Sequence, residues 1–329
     1  MDNNQDWTNG ALRRFMENVA VPPLGDEQQR VAGEAAAEAA IKEIFGLDID
    51  AFNAGVSSVS GSLDAAGTQH LNSPDPDIPS DPGAAAFFDV DNTLIQGSSL
   101  VELGFGMARR RFFKLSDFLP AAWKQIKFKV TGTENAADIE SGRAMALQMV
   151  KGLKVDDVIS LGDEIVAKSM MNKLYDGTRE LAQMHIDAGQ QVWLVTASPV
   201  QLAQILARQL GFTGALGTVA EVDENGEFTG RLVGDILHGP GKKHAVAALC
   251  TLENLDLARC TAYSDSFNDV PMLSMVGTAV TINPDRRLRE YAHAQGWAIR
   301  DYRGVRRTIR RWAVPAVLGL LGVRAWRRR

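Results

Sequence analysis

The chain has 329 residues, 45% hydrophobic and 23% charged, enough to bury a core in one large domain with an insertion or in two modest domains. Its net charge of −5 hides an asymmetry: residues 300–329 hold ten Arg and one Asp, and the remainder carries 25 basic against 39 acidic side chains. So acidic a body excludes a nucleic-acid binder, and two cysteines without metal-ligand spacing, Cys250 and Cys260, exclude a disulfide scaffold and fit a reducing compartment.

The opening MDNNQDWTNG is polar and acidic where a secretory signal needs a basic start and an apolar run, so the expected location is cytoplasmic. Residues 1–83 read as a mostly disordered N-terminal segment and linker. Within it, the Ala/Glu-rich stretch 26–46 suits a short helix with little apolar surface to bury. From Gly55 to Gly83 the composition turns to Ser, Gly, Asp and Pro, a linker composition that puts the start of the folded body at Ala84.

Short apolar runs then alternate with longer amphipathic ones. AAAFFDV (84–90), QQVWLVT (190–196), LGTVAEV (216–222), ARCTAYS (258–264) and GTAVTI (277–282) have the length and apolarity of buried parallel strands. Helical spacing fills most gaps, as in DGTRELAQMHIDAG before the second run and KKHAVAALCTLENL before the fourth. This alternation predicts an α/β fold, and Asn225-Gly226 between two alternating runs predicts a hairpin after the third strand. Residues 97–175 are helical in period and far longer than a crossover needs, so they read as an inserted helical cap over the C-terminal edge of a Rossmann-like parallel sheet. The core is then 84–96 and 176–299.

Four polar motifs fall at strand ends or open helices: Asp89-Val-Asp91-Asn-Thr93, Thr196-Ala197-Ser198, Gly239-Pro-Gly-Lys242-Lys243, and Ser264-Asp265-Ser-Phe-Asn268-Asp269. Caps and turns use the same residue types, so each alone is weak; their order along the chain is what carries weight. Two carboxylates at a strand end repel each other unless a cation and a phosphate belong there. A strand-end carboxylate such as Asp89 can attack phosphorus once a hard cation such as Mg²⁺ offsets the charge, with Asp265 as a further ligand. Thr196 and the N–H groups after it, beginning at Ala197, can bind phosphoryl oxygens, with a lysine to neutralise developing charge. Strand alternation would turn Asp91 to the same side as Asp89, to protonate the leaving oxygen and then deprotonate water.

This ordered set resembles the haloacid dehalogenase superfamily, and within it the phosphoserine phosphatase-like subfamily with a helical cap after the first motif, over roughly residues 84–299. The resemblance implies a Mg²⁺-dependent phosphomonoester hydrolase acting through an aspartyl-phosphate on a small or lipid phosphate. It implies Asp89 as nucleophile and metal ligand, Asp91 as general acid/base and a ligand through its carbonyl, Asp265 as the third ligand, and Thr93 as a supporting residue. Thr196 and Ala197 would bind phosphate, Lys242 rather than Lys243 would neutralise charge, and Asp269, with Asn268 beside it, would orient Lys242. Ser264 stands where the family has Gly. Ser98 stands where phosphoserine phosphatases place the Glu that binds the substrate amine, and Ala146, near Arg143, where they place the carboxylate-binding Arg. Phosphoserine is therefore the alternative substrate. Dehalogenases and P-type ATPases do without the second Asp, and a scaffold without turnover is the rival from another class.

Of the five histidines none joins a motif except His244, on the helix after Lys242, and it reads as helix surface or core. The run 108–130 mixes Arg and Lys with Phe and Trp and reads as cap core with a basic face. In the tail, the apolar run Trp312 to Val323 lies between arginine clusters, is interrupted by Pro315, and is shorter than the roughly twenty residues a span needs. Residues 306–329 thus read either as an interfacial segment on the inner face of a membrane or as a helix docked on the acidic body.

Overall fold

The computed structural model describes residues 26–112, 147 and 150–304. The chain divides into two units, Met1–Ile49 and Asp50–Arg329. The first contains α1 (Asp26–Phe45), which buries none of its side chains and carries the pairs Arg30–Glu27 and Arg30–Glu34 on its surface. Gly46 ends it in the left-handed conformation, its N–H on the Lys42 carbonyl.

The second unit is built on a seven-stranded sheet in the order β4-β3-β2-β1-β5-β6-β7: β1 (Ala85–Phe88), β2 (Gln191–Pro199), β3 (Gly214–Val222), β4 (Phe228–Val233), β5 (Thr261–Ser264), β6 (Thr278–Ile282) and β7 (Ala298–Arg300). Only β4 runs antiparallel, returning from β3 through the Asn225-Gly226 turn. The other strands pair in parallel, with β1 central between β2 and β5. Sequence order reverses at β1, and an open α/β sheet binds its ligands at the strand ends flanking such a switch. The five apolar runs are strands, β4 follows the turn signal, and β7 is a short edge strand with no such signal.

Both faces of the sheet are covered, which explains why β1 is apolar without alternation. Phe88 packs on one face with Leu194, Phe212 and Tyr263, stacking on the Tyr263 ring at 4.2 Å. Phe87 packs on the other with Trp193, Leu216, Val246 and Leu249. The helices that cover them are α5 (Asp176–Asp187), α6 (Val200–Gln209), α7 (Pro240–Leu252), α8 (Val270–Leu273) and α9 (Arg286–Gln295).

Of the inserted segment, α3 (Ser99–Arg109) and α4 (Val155–Ile165) are described, with a π-helical turn, Val166–Met170, and a 3-10 turn, Met171–Lys173, leading back to the core. The glycines of these helices permit close crossing. A Cβ at Gly106 would stand 2.7 Å from Ile165 of α4, and one at Gly162 2.8 Å from Ile205 of α6. The segment leaves and re-enters the core along adjacent lines, with Gln96 N–H on the Lys173 carbonyl at 2.8 Å and Tyr175 N–H on the Leu94 carbonyl at 2.9 Å. It is also sewn to the hairpin: Gly152 N–H donates to Phe228 O (2.8 Å), Phe228 N–H to Leu153 O (3.0 Å), and Val155 N–H to Gly226 O (3.0 Å). Arg143, Ala146, most of 108–130 and the tail 306–329 lie outside the described residues.

One expectation is corrected. The stretch from Gly55 is not linker at its start, because α2 spans Ile49–Ala66 and buries Gly55, Ser58, Val59, Gly61 and Ser62. The small residues that suggested a linker let a helix backbone approach closely. A Cβ at Gly55 would stand 2.2 Å from the His244 carbonyl oxygen, and one at Gly61 3.0 Å from Val233. Ser58 Oγ accepts from Asp235 N–H at 2.8 Å, and Gln204 Nε2 donates to the Ser62 carbonyl at 2.6 Å. Residues 67–83 have no helix or strand, as a linker should, yet they are tied down by Leu71 N–H on Thr213 O, Asn72 on Phe212 O, and His70 and Gln69 on Glu253.

Candidate active site

β1 ends at Phe88, and Asp89 is the first residue beyond it, its N–H on the Tyr263 carbonyl of β5 at 3.0 Å. Asp89 is 6% exposed, and its carboxylate is engaged on both oxygens: Lys242 Nζ donates to Oδ1 at 2.6 Å and Thr93 Oγ1 to Oδ2 at 3.0 Å. Thr93 is fully buried, and Thr178 Oγ1 holds its carbonyl at 2.8 Å. Lys242 Nζ also donates to Asp269 Oδ2 at 2.7 Å, and Ser264 Oγ donates to that same oxygen at 2.6 Å. The hydroxyl that replaces the family glycine therefore has a partner.

α7 carries Lys242 in its first turn, and two glycines set that turn. Gly239, the N-cap, has φ 53, in the left-handed region where side chains are strained, and Gly241 has no room for a Cβ, which would stand 2.1 Å from the Ile236 carbonyl oxygen. Pro240 takes the first helical position, where no N–H is needed.

Asp89, Lys242 and Asp269 together place one ammonium between two carboxylates in a buried space, leaving an excess negative charge. Burial, reinforced by Asp269 and Asp91 and opposed by Lys242, pushes the Asp89 carboxyl up to about 6. For Lys242, burial alone would lower the pKa, but attraction from Asp269 and Asp89 outweighs it and holds the ammonium well above the ordinary lysine range.

Asp91 lies beyond the last residue of β1, near enough for its charge to act on Asp89, and Asn92 turns the chain just after it with φ 57. The start of α3 holds its carboxylate: Ser99 N–H and Ser99 Oγ both donate to its Oδ1, at 2.8 and 2.5 Å. Ser99 Oγ also bonds Ser198 Oγ at the end of β2. The β2–β3 register slips between Val195 and Pro199, so Thr196, Ala197 and Ser198 leave the regular ladder. Thr196 is buried and its Oγ1 accepts from Ser198 N–H at 3.2 Å, so its proton is left for another acceptor; the Ala197 carbonyl accepts from Thr218. Ser99 was not singled out in the sequence, and Ser198 only as the last residue of the second motif, since their bond to each other and that of Ser99 to Asp91 form only in the fold.

Asp265 follows β5. Phe88 pairs with Tyr263, so this register sets Asp265 at the strand end next to that of Asp89. Its carbonyl accepts from Asp285 N–H, and the loop behind it closes through Ser266, which accepts from Asn268 N–H at 3.3 Å. Asn268 thus serves the turn before Asp269. Among the described residues no three His, Cys, Asp or Glu side chains converge on one point. The residues that could hold a metal are those expected from the sequence, the Asp89 and Asp265 carboxylates and the Asp91 carbonyl, a sparse hard-oxygen set of the kind Mg²⁺ completes with water. The excess negative charge beside Lys242 fits the same ion.

Ser98 is the N-cap of α3. One turn on, Glu102 is already held by Lys173 and by Ser169 Oγ at 2.7 Å. His244 pairs with Asp235 at 2.7 Å rather than with any of the four motifs.

The sequence profile of the haloacid dehalogenase-like hydrolases matches residues 86–274. The chain is 57% identical over 242 residues to phosphoserine phosphatase SerB1 of Mycobacterium tuberculosis, covering 74% of this chain and 78% of that one. It is 35% identical to the inhibition of morphological differentiation protein of Streptomyces azureus, over 67% of this chain and 79% of that one. Among solved structures, a protein of unknown function from Bordetella pertussis Tohama I superposes with a TM-score of 0.59 at 26% identity, over 67% of this chain and 98% of its own. The chain belongs to the haloacid dehalogenase-like hydrolase family.

Proposed function

We propose that this hydrolase is a phosphatase that splits phosphomonoesters through an aspartyl-phosphate on Asp89. The observation that carries the reading is the buried Asp89 carboxylate, fixed by Lys242 and Thr93 at the C-terminal end of the central strand. A carboxylate held on both oxygens loses little freedom on attacking phosphorus, and each oxygen keeps a second lone pair for bonding. Lys242 would offset charge growing on the phosphoryl oxygens, Asp269 and Ser264 would aim Lys242, and the Thr196 hydroxyl with the N–H of Ala197 would hold the phosphate. Asp91 would give a proton to the leaving oxygen and take one from the attacking water. Asp89, the Asp91 carbonyl and Asp265 would hold Mg²⁺, which supplies charge neutralisation at the phosphate when bound.

The substrate is read as a small or lipid phosphate. Phosphoserine is the second reading, favoured by the name of the 57% identical relative. Against it, Ser98 offers no charge to an amine and Glu102 is already paired. If the reading holds, para-nitrophenyl phosphate is hydrolysed with Mg²⁺, and Asp89→Asn lowers kcat by at least about 10³-fold. Activity unchanged in that variant would leave the scaffold reading standing. A screen of metabolite and lipid phosphates for released phosphate assigns the substrate, and phosphoserine ranking first would overturn the first reading in favour of the second. Among the described residues no helix is long and apolar enough to cross a membrane. For the tail we retain the interfacial reading, which liposome flotation with and without residues 306–329 tests: equal binding by both forms ends it.

A further inference from the structure

Asp91 lies beyond the last residue of β1, and the chain turns at Asn92 just after it. We propose that Ser99 is the positioning residue for Asp91 and that Ser198 completes a hydroxyl relay which turns one chosen oxygen of Asp91 toward the leaving group. This inference rests on the phosphatase reading above and adds to it the groups that aim the proton donor.

Ser99 is the first residue of α3, and its N–H is one of those a helix start leaves without an internal partner. That N–H and the Ser99 hydroxyl converge on the same atom, Asp91 Oδ1. A serine has one hydroxyl proton; given to Asp91, it leaves Ser99 Oγ to accept from Ser198 O–H. The chain of donation therefore runs from Ser198 to Ser99 to Asp91, from the end of β2 to the loop after β1. Ser99 is 1% exposed and Ser198 2%, so water does not compete for these bonds. Two donors on Oδ1 fix the carboxyl plane and leave Oδ2 as the oxygen that carries the proton.

The two half-reactions then balance on this oxygen. In the first, an Asp89 oxygen bonds to phosphorus, the bond from phosphorus to the leaving oxygen breaks, and the Asp91 Oδ2 proton passes to that oxygen. In the second, a water oxygen bonds to phosphorus, the Asp89–phosphorus bond breaks, and the water proton returns to Oδ2. Ser99 touches neither phosphorus nor the leaving group, so it acts only through the aim of Asp91.

A helix cap with no bearing on proton transfer would slow all substrates alike, whereas an aiming role would not. The experiment compares kcat/KM, which reports on the step that expels the leaving group, for para-nitrophenyl phosphate and for an alkyl phosphate, with the full chain and Mg²⁺. Nitrophenolate departs without a proton and an alkoxide does not. Ser99→Ala keeps the N–H bond and should lose at least ten-fold more on the alkyl phosphate than on the aryl one. Ser198→Ala should show the same split in smaller degree, and Ser99→Thr should restore the alkyl rate. Equal losses on both substrates, or none, in folded Ser99→Ala overturn the inference and leave the phosphatase reading intact. If Ser99→Ala does not fold, Ser198→Ala decides by the same criterion. A wild-type protein that hydrolyses neither ester overturns the phosphatase reading itself, and this inference with it.

Discussion

Lys242 separates two buried carboxylates, and its removal would leave them facing each other without water. Lys242→Met is therefore expected to abolish turnover and to cost about 3–5 kcal/mol of stability in urea unfolding, the usual penalty for stripping the partner from a buried charge. Asp269→Asn leaves the Lys242–Asp89 pair in place and relieves the excess negative charge, so it should lose turnover with a much smaller stability change. His185 gives a second prediction at this scale. Its Nδ1 meets Gln190 Oε1 at 2.6 Å, which makes Nδ1 the donor, so Nε2 accepts from Tyr263 O–H at 2.8 Å. Burial lowers the His185 pKa, with the Gln190 bond opposing, and burial raises that of Tyr263 to about 12. As pH falls below about 6.5, the unfolded chain protonates this histidine before the folded protein does, so stability is lost from there downward, until the folded pKa is passed. His185→Gln should thus lose less stability than wild type between pH 7.5 and 5.5, as read from paired urea midpoints. An equal loss in both would show that other groups carry the acid sensitivity.

Among the elements, α2 and α1 make opposite predictions from the same residue type. Gly55→Ala puts a Cβ where the His244 carbonyl already stands, and the helix must shift, for about 1–3 kcal/mol and a lower melting temperature. Gly33→Ala in α1 meets nothing within 4 Å and should raise helix stability by about 1 kcal/mol. The same contrast explains what was legible. Parallel strands buried on both faces announce themselves as apolar runs such as AAAFFDV, and Asn225-Gly226 announces its hairpin through local turn chemistry. α2 was hidden because Gly55, Ser58, Gly61 and Ser62 serve a close approach to α7, β3 and β4 that exists only in three dimensions, while in sequence they look like linker. β7 has three residues and no alternation to read. In the site, the contacts of Asp89, Thr93, Lys242 and Asp269 join motifs that were visible one by one. What holds Asp91 was not legible, because its partner Ser99 comes eight residues later and is brought to it only by the turn after β1. The Ser264 bond to Asp269 was open to inference, a hydroxyl having appeared where the family has none.

For the whole molecule, the inserted segment is fastened both at its root, by Gln96 and Tyr175, and at the hairpin, by three backbone bonds. Val155→Pro offers a clean probe of the second fastening. The position begins α4, where Pro is tolerated, and Lys154 before it is already extended with ψ 140, so only the Val155 N–H bond to Gly226 is lost. The substitution should cost about 1 kcal/mol and speed hydrogen exchange at the Gly152 and Phe228 amides while leaving the amides of β1 unchanged. Unchanged exchange at those two amides would mean that the seam does not open as a unit.

A flap hung on two adjacent chain crossings could swing like a door on one post. Here a second post stands at the tip of β3 and β4, so any swing must either rip that stitching or drag the ribbon along. Whatever loosens residues 152–155 must therefore also loosen the outer ribbon of the sheet, and a change made on that ribbon would be felt in the insertion.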